Sequence, residues 1–314
     1  MVVLVTGGTG YLGRHVAQAV AARGHTPVVF ARRASRAGLS WRAVDGDVGD
    51  AASVLAAASG CDAICHAAAK VEIAGAADDF ARVNVDGLRH VVAAARALDL
   101  RRLVYTSSFL AGPPADGRPL ARTNHYQRTK AEAAAVAREA AAAGAPLVVL
   151  VPGVVYGPGA WTEGNLAGRL LRDHLRGRLP ATLGAHRTWS FSFASDVAAA
   201  HALALTHGTP GAWYGIGGPN LPQMAMFEWV RATRGRRLPA DLPVGLARLA
   251  GAVEEARTRL FGGTPRLTRG AVEILAHDWP VDSTAAERDL GYRITPFDEA
   301  MRRTVEDIEQ GLGR

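Results

Sequence analysis

The sequence predicts an α/β fold, a doubly wound parallel sheet with helices on both faces, followed by a smaller and mostly helical C-terminal lobe. Three observations support this prediction. Short apolar runs of strand type alternate with helical patterns as far as residue 152, which is typical of a parallel sheet. A glycine-rich loop joins the first run to the first helical pattern. Beyond residue 152 the alternation ends, and the chain becomes richer in glycine, proline and tryptophan.

The first predicted strand, at residues 2–5, leads into a loop that contains Gly7, Gly10 and Gly13. This spacing lets the backbone approach a ligand closely, and the start of the next helix supplies unpaired N–H groups and a positive dipole end. The combination is typical of the phosphate cradle of a Rossmann-type domain, with an ordinary glycine turn as the alternative. We expect contacts to a dinucleotide from Gly7, Thr9, Gly10, Tyr11, Leu12 and Gly13.

The remaining elements follow from local signals along the chain. Gly24 and Gly144 each end a helical pattern, and Pro27 is tolerable at the start of a strand. Asn84 lies inside a long helical pattern, where asparagine is mildly unfavourable, so we expect its side chain to hydrogen-bond a neighbour. We predict strands at 26–30, 41–45, 63–66, 102–107 and 147–151, and helices at 14–23, 51–58, 78–98 and 126–143. In the lobe we predict helices at 166–176, 226–233, 242–260 and 268–277.

The change in pattern after residue 152 also sets the expected domain organisation. Residues 1–152 are predicted to form an NAD(P)-binding domain of the Rossmann type, completed by parts of 189–216. Residues 153–188 and 217–314 are predicted to form a smaller substrate-binding lobe, interleaved with the first domain. We expect one folding unit, because the sequence contains no repeat or low-complexity linker.

Composition excludes several classes of protein. The 314 residues are 48% hydrophobic and 21% charged, which suits a soluble protein with a substantial core. The sequence contains neither a run of about 20 apolar residues nor the pattern of a signal peptide, so we expect a cytoplasmic protein without a membrane partner. The formal net charge is +7, but the arginines are spread along the chain without a basic tail. We therefore expect no nucleic-acid partner.

Cysteine and lysine are both rare. Cys61 and Cys65 flank a predicted strand and lack a second pair of ligands, so we predict buried reduced thiols and no metal site. Of the 36 basic residues only Lys70 and Lys130 are lysines. Because arginine is the ordinary basic residue of this chain, a lysine indicates a position with a specific role.

Arginines follow the second predicted strand, where a Rossmann-type domain meets the adenosine ribose. Arg32 and Arg33 lie there, and no acidic residue occurs between His25 and Val44. An acidic side chain at this point would bind the 2′-hydroxyl of NAD, whereas arginines suit a 2′-phosphate. We therefore favour NADP(H) over NAD(H), with ordinary surface arginines as the alternative.

A tyrosine and a lysine four residues apart are the strongest chemical signal. Tyr126 and Lys130 share one face of a predicted helix. A nearby cation favours the phenolate, which would bring a phenol closer to useful acid–base chemistry at neutral pH. Ser107 and Ser108 end the preceding strand, where one hydroxyl could position a substrate oxygen. A chance pair of surface residues is the alternative.

Together these motifs resemble the short-chain dehydrogenase/reductase superfamily of the extended type. The resemblance rests on TGGTGYLG at 6–13, GDV at 46–48, HAAA at 66–69, NVDG at 84–87, YTSS at 105–108, the Tyr126/Lys130 pair, PGVVYGPG at 152–159 and DSTAAERDLGY at 282–292. It covers nearly the whole chain and is greatest for the dihydroflavonol-reductase-like and hopanoid-associated-epimerase-like group. Leu110 and the short stretch between Ser108 and Tyr126 depart from the pattern of most extended members.

The resemblance implies a role for individual residues. Tyr126 would be the general acid/base, Lys130 would bind the nicotinamide ribose and lower the pKa of Tyr126, and Ser108 would orient the substrate carbonyl. The other residues of the implied cofactor site are Asp47, Val48, Ala67, Ala68, Ala69, Thr106, Pro152 and Val155. The helices predicted at 78–98 and 126–143 commonly form the dimer face in such proteins, so a homodimer is expected as one possibility.

The expected reaction is reduction of a ketone or aldehyde by an NAD(P)-dependent oxidoreductase, with Tyr126 as the proton donor. A sugar-nucleotide epimerase or dehydratase is the alternative. Members of that kind commonly carry an asparagine after the sixth strand, which VVLVPGVVYG lacks, and an arginine where this chain has Trp189, although Arg187 lies nearby. A regulator that binds NADP without turnover is the third possibility, disfavoured because such relatives usually lose the Tyr/Lys pair.

The substrate is expected to be a small molecule that carries a carbonyl group or resembles a sugar. Aromatic residues of the lobe could line an apolar pocket for it, or they could be ordinary core residues. These residues are Trp161, Trp189, Phe191, Phe193, Trp213 and Trp229.

Overall fold

The computed structural model describes residues 1–72, 75–121, 123–160, 162, 164–265 and 267–312. A seven-stranded sheet forms the centre, in the order β3-β2-β1-β4-β5-β6-β10, and every neighbouring pair is parallel. Its strands are β1 (Val2–Thr6), β2 (Thr26–Ala31), β3 (Arg42–Asp45), β4 (Ala63–His66), β5 (Arg102–Thr106), β6 (Leu147–Pro152) and β10 (Trp213–Ile216). The predicted doubly wound α/β fold is confirmed.

Helices cover both faces of this sheet. They are α1 (Tyr11–Ala22), α2 (Ala51–Ala58), α3 (Ala77–Ala81), α4 (Gly87–Ala97), α5 (His125–Ala142), α7 (Ala194–His207) and α11 (Thr284–Leu290). Because side chains alternate along a strand, Val3 and Val5 of β1 enter the core beneath α1 and α7. Leu4 enters the opposite core, with residues of α2, α4 and α5.

The lobe contains the other elements. They are β7 (Val154–Tyr156), α6 (Leu166–Leu175), β8 (Ala181–Leu183), β9 (Thr188–Phe193), β11 (Asn220–Pro222), α8 (Ala225–Arg234), β12 (Ala240–Leu242), α9 (Val244–Phe261), α10 (Arg269–Leu275) and α12 (Phe297–Leu312). Helices dominate this lobe, as predicted, but two small sheets, β11-β9-β7 and β12-β8, also occur there. Four of these strands have only three residues, which is too short for a periodic signal in the sequence, whereas β9 has six.

Several predicted boundaries differ from the structure. The helix predicted at 14–23 begins at Tyr11, immediately behind the glycine loop. The helix predicted at 78–98 is divided, because a π-helical turn at Arg82–Asp86 separates α3 from α4. The strand predicted at 102–107 ends at Thr106, so both following serines lie beyond the sheet.

Three of the six aromatic residues proposed to line a pocket are core residues. Trp189, Phe191 and Phe193 are buried in one cluster with residues of α6, α8 and α12. Trp213 and Trp229 are half-buried, and Trp213 packs under the guanidinium of Arg138 at 4.9 Å. Trp161 lies outside the described residues. The structure thus supports the core interpretation for the three buried aromatics.

Candidate active site

The glycine loop is packed too tightly for side chains. Gly7 has a positive φ of 67°, and a Cβ atom there would lie 2.7 Å from the Cα of Ala68. A Cβ on Gly13 would collide with the carbonyl oxygen of Gly7. The amide of Gly10 donates a hydrogen bond of 2.8 Å to the same oxygen. The first strand, the loop and the segment after β4 therefore meet in close backbone contact.

The start of α1 has the character of an anion site. Its N-cap, Gly10, has no side-chain cap, and the first turn contains no acidic residue. The first backbone N–H groups of a helix have no intrahelical acceptor, and the dipole there favours negative charge. This observation fits the diphosphate of a dinucleotide.

The side chains of the predicted loop residues point in different directions. Tyr11 is buried, its ring packs edge-on against His15 at 5.5 Å, and a Cβ on Gly157 would lie 3.2 Å from its hydroxyl. Thr9 is half-buried and its carbonyl oxygen accepts a hydrogen bond from Arg14. Leu12 is half-buried against the core. Tyr11 is therefore best placed to meet a ligand through its backbone.

At the opposite end of the proposed cofactor site, Arg32 and Arg33 are both exposed after β2. Asp47 forms an ion pair with Arg82 at 2.9 Å and accepts a hydrogen bond from the amide of Gly49 at 2.8 Å. Partial burial raises the pKa of Asp47, whereas the hydrogen bonds from Gly49 and Arg82 and the charges of Arg82 and Arg32 lower it. The lowering is larger, so the net pKa lies below the usual value. Val48 is buried beside this carboxylate.

Asp45 also contributes to this region, although no local pattern in the sequence marks it. Its carboxylate accepts hydrogen bonds from the amide and the hydroxyl of Ser35, at 2.8 and 2.6 Å. It thereby holds the short 3₁₀ turn Ala34–Arg36, which directly follows the two arginines. The acidic residue at the end of β3 supports the arginine loop.

Helix α5 brings Tyr126 and Lys130 to the carboxyl edge of the sheet. Asn124 and Gln127 form a reciprocal capping box that fixes the helix start. The Lys130 Nζ atom donates to the carbonyl oxygen of Thr106 at 2.9 Å. It also lies 5.2 Å from the ring centre of Tyr105 and 6.0 Å from that of Tyr126. One buried ammonium group is thus placed beneath two tyrosine rings.

The electrostatics of this pair differ from expectation. Lys130 is only 3% exposed, and burial lowers its pKa to about 7. Burial also raises the pKa of Tyr126, and hydrogen bonding with Ser108 only partly opposes this rise. Burial outweighs the hydrogen bond with Ser108, so the net pKa of Tyr126 lies above its ordinary value and not below it, as the resemblance had implied. At neutral pH Tyr126 is a protonated phenol.

Ser108 is the serine that faces Tyr126. It is buried, caps the 3₁₀ turn Phe109–Ala111, and its Oγ atom accepts a hydrogen bond from the amide of Leu110 at 3.2 Å. The Ser107 hydroxyl is buried without a hydrogen-bond partner among the described residues. Of the two serine hydroxyls, that of Ser108 interacts with the Tyr126 phenol.

Asn84 connects the helix that carries Tyr126 to the segment after β4. Its amide exchanges hydrogen bonds with the backbone of Lys70, at 2.8 and 3.1 Å, and donates to the Thr129 hydroxyl at 2.9 Å. It lies in the π-helical turn, and such turns are frequent at functional sites. The prediction that the Asn84 side chain hydrogen-bonds a neighbouring residue is confirmed. One of its partners, Thr129, directly precedes Lys130 in α5.

Two neutral histidines complete the layer beneath the site. His201 of α7 hydrogen-bonds the Thr106 hydroxyl at 2.7 Å, and His66 hydrogen-bonds the Thr6 hydroxyl at 2.8 Å and stacks on Tyr105. Burial lowers the pKa of His66 to about 3 and that of His201 to about 4. Both rings are uncharged at neutral pH, so Lys130 carries the titratable positive charge next to Tyr126.

The remaining predicted residues line the same edge of the sheet. Ala67, Ala68 and Ala69 are half-buried directly after β4. Pro152 ends β6 opposite Ile216, and Val155 is half-buried in β7.

Cys61 and Cys65 are buried free thiols. Across the part of the chain that the structure describes, no cluster of three or more His, Cys, Asp or Glu side chains could hold a metal ion.

The loop between Ser108 and Tyr126 contacts the lobe. Asp116 contacts the ring of His277 at 3.0 Å, and Glu273 accepts a hydrogen bond from the amide of Ala121 at 3.2 Å. Arg187 pairs with Asp278 at 3.3 Å and lies 4.0 Å from Asp116. Arg187, which could have taken the place of the arginine that commonly binds sugar nucleotides in related proteins, is thus paired with acidic residues.

The glycine cradle, the uncapped helix start and the Tyr/Lys pair lie at one edge of a parallel sheet, an arrangement typical of Rossmann-type dinucleotide-binding domains. The profile of the NAD dependent epimerase/dehydratase family matches residues 3–217. The chain belongs to that family, which confirms the predicted relationship to the extended short-chain dehydrogenases/reductases. It is an NAD(P)-dependent protein of the oxidoreductase type.

Individual relatives match over nearly the full chain. Sterol demethylase protein B from Methylococcus capsulatus is 30% identical, over 93% of this chain and 93% of that protein. A 2-alkyl-3-oxoalkanoate reductase from Stenotrophomonas maltophilia is 30% identical, over 96% and 98%. The crystal structure of gox2253 superposes with a TM-score of 0.82 at 27% identity, covering 99% and 98%. MoeE5 in complex with UDP-glucose and NAD superposes with a TM-score of 0.76 at 25% identity, covering 99% and 100%.

Proposed function

We propose that this protein is an NADPH-dependent reductase that converts a ketone or aldehyde to an alcohol, with Tyr126 as the proton donor. The observation that carries the proposal is the placement of the Tyr126 phenol between Ser108 and the buried Lys130. The reductase name of one relative supports the same direction of reaction.

The chain's own groups divide the work. A bound reduced nicotinamide would supply hydride to the carbonyl carbon. Ser108 donates a hydrogen bond to the carbonyl oxygen and holds it against Tyr126. Because burial raises the pKa of Tyr126, its phenol is protonated at neutral pH and available to give its proton to that oxygen. Lys130 then stabilises the phenolate that remains.

The cofactor preference follows from the arginine loop. Arg32 and Arg33 are exposed after β2, where the adenosine ribose would lie, and the Asp45 carboxylate is engaged by Ser35 in the turn that follows them. Asp47, the other acidic residue nearby, is paired with Arg82. A 2′-phosphate would find two cations there, which favours NADP(H) over NAD(H).

A sugar-nucleotide epimerase or dehydratase is the second candidate. The family name and the likeness to MoeE5, solved with UDP-glucose and NAD, favour it. The pairing of Arg187 with Asp278 and the buried Trp189 argue against it, because the charge of the arginine is already compensated and a tryptophan offers no charge to a diphosphate. Protein that purifies with stoichiometric, non-exchanging NAD would favour this candidate over the reductase.

The central test is Tyr126→Phe. We expect at least about a 100-fold loss of NADPH-dependent reduction of a 2-alkyl-3-oxoalkanoate probe, because the proton donor is removed. The dissociation constant for NADPH, measured by fluorescence, should change less than about twofold. Tyr214→Phe is the matched control, since this buried tyrosine lies on β10, where its hydroxyl accepts a hydrogen bond from the amide of Thr209 at 3.4 Å. Retained activity in Tyr126→Phe would reject the mechanism.

The cofactor preference has its own test. In the double variant Arg32→Ser/Arg33→Ser we expect NADPH affinity to fall about tenfold or more, because charge-assisted hydrogen bonds to the 2′-phosphate are lost. NADH affinity should stay nearly unchanged. Arg89→Ser, an exposed arginine of α4 paired with Asp86, is the control. Tighter binding of NADH than of NADPH by the unaltered protein would contradict this preference.

A further inference from the structure

Helix α9 presents its large side chains to solvent. Leu246, Leu249, Val253 and Leu260 follow a spacing of three, four and seven residues, which places them on one face. The first three are 59%, 62% and 59% exposed, Leu260 is 77% exposed, and Phe261 at the helix end is 81% exposed. We call these five residues the α9 stripe. Exposed apolar surface of this continuity marks an interaction site.

The inner face of the same helix is built from small residues. Ala247 and Gly251 are its buried residues, and a Cβ on Gly251 would lie 3.1 Å from the amide nitrogen of Arg269. An ordinary surface helix buries its large apolar residues and exposes polar ones. Helix α9 has the reverse arrangement, so its apolar face is directed away from the protein's own core.

Positive charge is concentrated in the segment that contains the α9 stripe. Residues 231–269 contain nine arginines and three acidic residues, a net +6 of the chain's formal +7. Arg236 and Arg237 are exposed in the connection that precedes α9, and Arg257 and Arg259 are exposed on the helix itself. The apolar face and most of the chain's excess positive charge therefore belong to one segment.

We propose that the α9 stripe docks on the surface of an anionic lipid bilayer. Apolar side chains flanked by arginines are the combination that binds at a lipid interface, where the apolar groups enter the headgroup boundary and the cations meet anionic headgroups. A second copy of this chain fits less well, because a symmetric contact would bring two segments of +6 together.

The docking is peripheral, and no helix among the described residues is long and apolar enough to cross a membrane. The proposal departs from the sequence-based expectation of no membrane partner, which considered only spanning segments. It does not depend on the proposed reductase activity. The stripe is nevertheless linked to the site, because α9 packs on α10 and a Cβ on Gly270 of α10 would lie 3.1 Å from Asn124, the cap of α5.

The test is flotation of the full chain with vesicles. We expect the protein to bind vesicles of phosphatidylcholine and phosphatidylglycerol, to bind pure phosphatidylcholine weakly, and to lose affinity as salt is raised. Leu249→Ser/Val253→Ser should weaken binding at least about tenfold, and Arg236→Gln/Arg237→Gln should weaken it by about fivefold per arginine. Leu55→Ser on α2, where the leucine is 42% exposed, is the matched control and should bind normally.

Binding that is absent, or that Leu249→Ser/Val253→Ser leaves unchanged, would overturn the proposal. A wild-type dimer that this variant converts to a monomer by light scattering, without any vesicle binding, would assign the stripe to a second copy and also overturn it. Thermal unfolding of each variant verifies that the fold is kept. Phe261→Ser, at the exposed helix end, repeats the test with a residue that has little role in packing.

Discussion

Helices α5 and α9 each contain 18 residues but are used in opposite ways. Helix α5 buries polar side chains, Gln127, Thr129 and Lys130, and surrounds them with alanines packed on the sheet. Helix α9 buries an alanine and a glycine and leaves its leucines in solvent. Helix α5 is therefore stabilised by contacts within the protein, whereas the apolar face of α9 is exposed and available for contact with another surface.

Lys130→Met is the strongest way to break the α5 side of this comparison. Methionine fills similar space without charge, so we expect NADPH-dependent reduction to fall about 100-fold or more while the fold persists. The measurement is kcat together with the melting temperature. Glu132→Gln, exposed on the same helix, is the control and should keep full activity. A Lys130→Met protein with normal turnover would show that the lysine has no part in the reaction.

Burial of Lys130 also predicts how stability depends on pH. Its folded pKa is about 7, below the ordinary value of 10.5, so between these values the unfolded chain binds the additional proton. Since stability rises with pH where the unfolded state binds more protons, the free energy of unfolding should increase from about pH 7 to about pH 9. Urea titrations of the cofactor-free protein at both pH values measure this. The increase should be smaller in Lys130→Met, and an identical increase would show that another group causes it.

Asn84→Ala sharpens the account of how α5 is positioned. The change removes the hydrogen bond to Thr129 and leaves the partly buried amide of Lys70 without its acceptor. We expect the free energy of unfolding to fall by about 1–3 kcal/mol. Thr129→Ser, which keeps a hydroxyl, should lose much less. Equal stability of Asn84→Ala and the unaltered protein in urea would mean that the contact is not needed to hold α5.

Val253→Ser gives the smallest expected effect and defines the α9 side. The side chain is 59% exposed, so the free energy of unfolding should change by about 0.5 kcal/mol or less. Turnover of a water-soluble substrate should also be unchanged. A large destabilisation in urea would show that the α9 stripe packs against the protein in solution.

Local signals explain why much of the fold was predictable. The spacing of Gly7, Gly10 and Gly13 predicts close backbone contact. The alternation of apolar runs with helical patterns predicts a parallel sheet. The Tyr126/Lys130 spacing places both side chains on one helix face without any tertiary information. Each of these patterns lies within a few residues of sequence, so propensity and periodicity are sufficient to identify it.

The contacts around the site could not be predicted in the same way. His201 reaches Thr106 across 95 residues and Asn84 reaches Thr129 across 45, and no local pattern encodes such pairs. The same is true of the pKa of Tyr126, whose direction depends on how completely neighbouring chains exclude water.

The sequence by itself therefore determined the sheet, the glycine cradle and the Tyr/Lys pair, because helix and strand periodicity and glycine geometry act locally. Only the tertiary structure decided that Lys130 is buried under two rings, that Arg187 is paired, and that α9 turns its leucines outward. These outcomes depend on which surfaces meet after folding. Burial and charge pairing belong to the whole packed molecule rather than to any one segment.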